Sequence, residues 1–147
     1  MAEYYEAAFR CTRYDAEVHD RPLPGKEIAE ELSAALLKLG LAPIGVFDEE
    51  PFWTVRMPHS SGTIDVLVYV YSPDSERMKA VWCVSVKSKM GFLDRLRRKQ
   101  EDPATVALLN ALHEALQSLP HVQDIRWFNE LPSDPYTSSN WAMRPMV

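Results

Sequence analysis

Large apolar residues recur at every second position in three consecutive stretches near the middle of the chain, residues 52–57, 63–71 and 80–87. A period of two is typical of half-buried strands, because successive side chains point to opposite faces of a sheet. The short connections between the stretches predict antiparallel neighbours. One parity predicts a continuous core face made of Trp53, Val55, Met57, Ile64, Val66, Val68, Val70, Trp82, Val84 and Val86.

The other parity predicts an outer face that is too aromatic for a plain solvated surface and too polar for a core. Its apolar members are Phe52, Leu67, Tyr69, Tyr71 and Val81. Side by side on adjacent strands, they would form a larger apolar patch than a soluble monomer usually exposes. We therefore expect a partner protein, a second copy of the chain or the chain's own tail to cover this face.

Two further stretches have the apolar spacing of amphipathic helices. The first, residues 26–39, places an apolar stripe on one side, leaves Leu37 off it for a second contact, and is followed by Gly40 as a left-handed cap. The second begins with Pro103 at its first position and ends before Pro120. Alternation also predicts strands over 4–14 and 121–128, whereas residues 48–51 are expected to form an acidic turn.

The order of strand, helix, three strands, helix and strand predicts an α+β domain over residues 1–128. We expect a mainly antiparallel sheet of about five strands, with both helices packed on one face and with Trp53 and Trp82 buried beneath them. The remaining residues, 129–147, contain three prolines together with Tyr136, Trp141 and Met143, so they predict an irregular tail that packs on the domain. A chain of 147 residues with 46% hydrophobic composition suits one compact domain.

Charge is distributed unevenly along the chain, whose net charge is -5. Six basic residues and one acidic residue lie between positions 87 and 99, and acidic residues predominate elsewhere. An acidic body with a single basic patch disfavours nucleic-acid binding, which requires a broad positive footprint. The pattern favours a protein partner, with Arg95 and Arg98 as candidate contacts.

The sequence predicts a cytosolic protein without a membrane segment. It has no uncharged apolar run of about 18 residues, and its first ten residues contain no apolar signal region. Cys11 and Cys83 lie in strand-like stretches, where a small buried thiol is expected rather than a disulfide framework.

Candidate catalytic residues are sparse. Asp15, Glu17 and His19 alternate as a possible metal set, but no second histidine or cysteine pair completes it. His113, at the edge of the second helical stripe, is typical of a boundary core residue. Because neither a nucleophile motif nor a glycine-rich phosphate loop is present, the sequence predicts a non-enzymatic protein with no cofactor. The alternative is a small hydrolase or metal enzyme built around His19 or His113.

Several motifs between residues 20 and 128 are similar to those of small uncharacterised bacterial proteins in which an acidic turn and a tryptophan open an antiparallel meander. They are Glu49-Glu50-Pro51-Phe52-Trp53, Trp82-x-Val84-x-Val86, Phe92-Leu93-x-x-Leu96 and Ile125-Arg126-Trp127. Small acidic proteins of this build also resemble immunity proteins that neutralise bacterial toxins. A more distant resemblance is to class I type III secretion chaperones, which bind an extended segment of their partner as dimers. The resemblance implies a cytoplasmic bacterial protein that binds a toxin or effector, or pairs with itself.

Overall fold

A computed structural model describes residues 5–11, 25–49, 52–59, 62–71, 81–88, 103–120, 122–129, 131–132, 135–136 and 138–145. Within these residues the chain forms six strands and two helices. In chain order they are β1 (Glu6–Cys11), α1 (Lys26–Lys38), β2 (Gly45–Glu49), β3 (Phe52–His59), β4 (Gly62–Tyr71), β5 (Val81–Ser88), α2 (Pro103–Ser118) and β6 (Val122–Phe128).

The six strands form one antiparallel sheet in the order β2-β3-β4-β5-β1-β6. The predicted α+β class is confirmed, and the sheet has one strand more than the five expected. The additional strand is β2, which includes Asp48 and Glu49, so the prediction of an acidic turn there is wrong for these two residues. Their backbone pairs with Trp53 and Phe52 of β3, and this pairing satisfies polar groups that β3 would otherwise leave open.

One face of the sheet carries the main core, and both helices pack against it. The predicted alternation is confirmed on β1, where Ala7, Phe9 and Cys11 point into this core. The helices contribute buried residues at the spacing of a single stripe. These residues are Ile28, Leu32 and Leu36 from α1 and Leu109, Leu112 and Leu116 from α2.

Two glycines fix the ends of α1. Gly25, before its first residue, has φ +120, and a Cβ there would face the Trp53 and Trp82 rings at 3.5 and 3.6 Å. Gly40, past its last residue, has φ +91, which confirms the predicted left-handed cap. Beyond it, the Leu41 N–H donates to the Leu36 carbonyl over 3.1 Å, which closes the last turn. These two positions set where the helix starts and stops on the sheet.

The two tryptophans expected beneath the helices differ in burial. Trp82, on the central strand β5, is fully buried, whereas Trp53 on β3 is only half-buried. Full burial of Trp53 was therefore a wrong prediction. Its neighbour across the ladder is Asp48 on the short strand β2, which is exposed and offers no apolar cover.

Replacement of Trp82 with alanine should lower the free energy of unfolding by about 3–5 kcal/mol, because it removes a large aromatic side chain from a packed core. Trp53→Ala is the matched control at a half-buried position, and its cost should be clearly smaller. Urea melts of both variants and the parent measure the difference. A loss under about 1 kcal/mol for Trp82→Ala would contradict the assignment of this face as the core.

Candidate functional site

The outer face of the sheet divides into two halves, and the half over β5, β1 and β6 contacts the C-terminal segment. Leu131 packs against a small buried cluster formed by Ala8, Cys83 and Phe128. The Glu6 carboxylate accepts hydrogen bonds from the Leu131 N–H over 2.8 Å and from the Ser85 hydroxyl over 3.2 Å. The carboxylate therefore joins β1, β5 and the segment that follows β6.

A stack of alternating cations and aromatic rings holds the rest of this segment on the same half. Tyr136 lies between the guanidinium groups of Arg10 and Arg126, 4.2 and 4.8 Å from its ring centroid. Arg126 also lies 4.5 Å from the ring centroid of Trp141. The Tyr136 hydroxyl donates to the Asp124 carbonyl over 2.9 Å, and burial raises the pKa of Tyr136. Tyr136 therefore acts as a neutral ring and donor between two cations.

The predicted outer-face residues are not equally accessible. Leu67 is buried, whereas Phe52, Tyr69 and Val81 are half-buried. The rings of Phe52 and Tyr69 meet edge to face with centroids 5.3 Å apart, so these two form one continuous aromatic surface. Tyr71 lies in β4, but its side chain is outside the described part of the structure, as are Arg95 and Arg98 entirely.

On the other half of the outer face, over β2, β3 and β4, one arginine links three strands. The Arg56 Nε donates to Asp65 Oδ1 over 2.9 Å, and Nη2 donates to Oδ2 over 3.3 Å. Nη2 also bonds Glu49 of β2, and the guanidinium lies 4.8 Å from the Phe47 ring centroid. The Asp65 and Glu49 carboxylates raise the pKa of Arg56, so it stays charged. This network fixes the edge strand β2 to the sheet and keeps the nearly buried Asp65 paired.

Replacement of Arg56 with methionine should destabilise the protein by about 1–3 kcal/mol, because Asp65 would lose its bidentate cation in a buried position. The expected loss of stability is smaller than for breaking a fully buried ion pair, because the Arg56 side chain remains 17% exposed to water. The double variant Arg56→Met/Asp65→Leu should recover most of the loss. Chemical denaturation of the parent, the two single variants and the double variant measures the coupling between Arg56 and Asp65. An equal loss of stability in Arg56→Met and in the double variant would contradict this expected recovery.

His113 on α2 is buried and bonded to the core. Its Nδ1 accepts a hydrogen bond from the Trp127 Nε1–H over 3.0 Å, so Nδ1 carries no proton. Burial, followed by the positive charge of Arg144, lowers the pKa of His113, and Glu114 opposes the shift. A neutral histidine at this position completes the hydrogen bonding of a fully buried tryptophan.

The stability of the protein should fall as the pH drops below 6.5, the ordinary pKa of histidine. The unfolded chain then binds a proton at residue 113 that the folded protein excludes, so this contribution is complete above that pH and is lost progressively below it. His113→Gln can still accept from Trp127 and does not titrate, so its unfolding free energy should depend less on pH. Melts of both proteins between neutral and mildly acidic pH test this, and parallel curves would contradict it.

The two edges of the sheet differ in how they are closed. At β6, Ala142 forms a bridge with Trp127 through two hydrogen bonds of 2.9 Å each. The pairing of β6 with β1 is also irregular near Asp124, whose φ is +54. Both features prevent a further strand from pairing there. At β2 the register with β3 is continuous, and no strand of the described residues pairs with its other side.

Four of the six exposed large apolar side chains of the described residues lie at the β2 end of the molecule, and the other two, Trp141 and Met143, lie beside β6. Leu37, Leu39, Ile44 and Phe47 are 63, 42, 54 and 38% exposed. These four, together with β2, are called the β2 edge surface below. It meets the Phe52–Tyr69 pair, because Glu49 of β2 is directly opposite Phe52.

A shallow groove of about 260 Å³ runs between α1 and β2 on the helix side of this surface. Ala34, Leu37, Pro43 and Val46 give it an apolar lining, and Glu30 and Ser33 give it a polar one. Leu37 lies off the helical stripe in the sequence, but helical spacing does not connect it to Ile44 and Phe47, which follow the helix. Ile44 and Val46 alternate as in a strand, but the acidic Asp48 occupies the next position of the same parity and obscures the pattern.

The described residues contain no group of three or more histidine, cysteine, aspartate or glutamate side chains that could hold a metal ion. Asp15, Glu17 and His19 lie outside them. Neither α1 nor α2 has the length and apolar character that a membrane-spanning helix needs. Comparisons with protein-family models, with curated proteins and with solved structures found no match for this chain.

Proposed function

We propose that this protein is a non-enzymatic, cytoplasmic protein-binding domain and that the β2 edge surface is its binding site. The observation that carries the proposal is the grouping of four exposed large apolar side chains around a strand edge that no other strand in the described part of the chain pairs with. Exposed apolar side chains are ordinary when scattered, whereas a contiguous group indicates a contact surface. The Phe52–Tyr69 pair extends this surface onto the outer face, in line with the expected role of these residues.

The charges beside the surface select a basic partner. Glu30, Asp48 and Glu49 border it, and the whole chain carries a net charge of -5. Glu49 is already paired with Arg56, and the Lys26 Nζ lies 4.0 Å from the Glu30 Oε1. Part of this negative charge is therefore compensated locally. The remaining charge repels a second copy of the chain and attracts a basic protein, chiefly by accelerating association.

The resemblance to immunity proteins gives the proposal a more specific form, in which the basic partner is a bacterial toxin that this protein neutralises by binding. Coexpression with that toxin should restore growth of the host cell. Ile44→Asp, which adds a charge to the apolar centre of the β2 edge surface, should abolish the protection without unfolding the domain, because Ile44 is already exposed.

A photo-crosslinking amino acid placed at position 47 should capture a foreign basic protein in the source cell. The same group placed at Asn110, which is exposed on α2, is the control and should not capture it. The captured protein, once purified, should bind the parent chain and bind Ile44→Asp at least about tenfold more weakly. Asn110→Asp should bind as the parent does.

Two outcomes would contradict this proposal. One is equal capture at positions 47 and 110, which would mean that the β2 edge surface is not a specific site. The other is capture of only a second copy of the chain at position 47, which would replace a foreign partner with a homodimer.

A further inference from the structure

The contrast between the two sheet edges suggests how a partner would bind. Edge strands carry unpaired N–H and C=O groups, and proteins that do not use them close them with bulges, short partners or charges. In this molecule β6 is closed by Ala142 and by the irregularity at Asp124. Within the described residues β2 has neither a bridging residue nor a bulge, and its five residues pair with β3 in an uninterrupted register. Its only devices of this kind in these residues are its short length and the charges of Asp48 and Glu49, which leave the edge accessible to a strand of opposite charge.

The surroundings of β2 suit the two sides of an added strand. Val46 points to the helix side, where the groove under Ala34 and Leu37 begins. Phe47 points to the outer face, where it packs beside Arg56. Side chains of a strand beside β2 would alternate between the groove and the outer face, because successive residues point to opposite sides.

The charges on both sides restrict what the added strand can carry. Glu30 lines the groove, and Asp48 is on the same side as Val46. Glu49 is on the outer side and shares Arg56 with Asp65. Two copies of β2 paired with each other would contribute four carboxylates and no basic side chain from the two strands, so the pairing would offer no favourable charge pair. An incoming strand with lysine or arginine would instead place opposite charges side by side.

Resting on the proposed function, we infer that the partner binds by adding an extended segment to β2 as a seventh strand, with small apolar side chains in the α1–β2 groove and basic side chains beside Glu30, Asp48 and Glu49. Main-chain hydrogen bonds would then provide affinity, and the groove would provide selectivity for side-chain size. Arg56 has a positioning role here, because it holds β2 and Phe47 in place for the incoming strand.

The test uses a capped peptide of alternating lysine and valine with the full chain labelled for NMR. The peptide should shift the amide signals of Gly45–Glu49 and slow the hydrogen exchange of the amides on the open side of β2. Two control peptides should leave these signals unchanged. One has glutamate in place of lysine, and the other has the same composition with the lysines and valines in separate blocks.

Two substitutions make the test specific for the groove. Ala34→Arg fills the groove and adds a positive charge, so it should weaken peptide binding about tenfold or more. Ala107→Arg makes the same change at an exposed position on α2 and should leave binding as in the parent. Amide spectra without peptide establish that both variants are folded.

The inference is overturned if the alternating peptide leaves the β2 amides unperturbed, or if it perturbs β6 instead. It is also overturned if the block peptide binds equally well, since charge alone would then explain the binding. Each result differs from a failure of the proposed function, which is decided by crosslinking at position 47 and does not depend on strand addition.

Discussion

A six-stranded sheet has two faces to cover, and this chain places both of its described helices on one of them. That constraint determines how the remaining residues are used. The helix face is filled in the ordinary way by Trp82, Trp127, Phe9 and the leucines of α1 and α2. The outer face has no helix of the described chain above it, so other interactions must shield its strands.

Each half of the outer face is shielded differently. Over β5, β1 and β6, Leu131 covers apolar side chains, and Tyr136 and Trp141 stack on Arg10 and Arg126. Over β2, β3 and β4, the polar network of Arg56 links the three strands, and Thr54, Asp65 and Leu67 of this half are buried. The first solution also closes the β6 edge, since the same segment supplies Ala142. The second supplies no strand from the described residues to the outer side of β2, and this asymmetry is the physical basis of the proposed binding site.

The sequence allowed much of the helix face to be predicted but little of the edges. Strands β3, β4 and β5 alternate clearly because one face of each carries the apolar core and the other carries mixed polar and aromatic side chains, so their period of two was visible in the residues themselves. Asp48 and Glu49 have the composition of a turn, and they lie in a strand because their backbone pairs with that of β3. The position of β1 between β5 and β6 is a matter of long-range pairing, which periodicity does not encode. The stacking of Arg126 between two rings likewise depends on a tail that meets β6 through irregular structure.

Hydrogen exchange of the isolated protein, measured amide by amide, tests most directly whether the two edges differ as described. The Trp127 amide, bonded to the Ala142 carbonyl at the β6 edge, should be protected. Amides on the open side of β2 should exchange at nearly the rate of an unstructured chain while those that face β3 remain protected. If every amide of β2 is as protected as that of Trp127, the edge is already covered in the isolated protein, and β2 is not the open binding edge of this sheet.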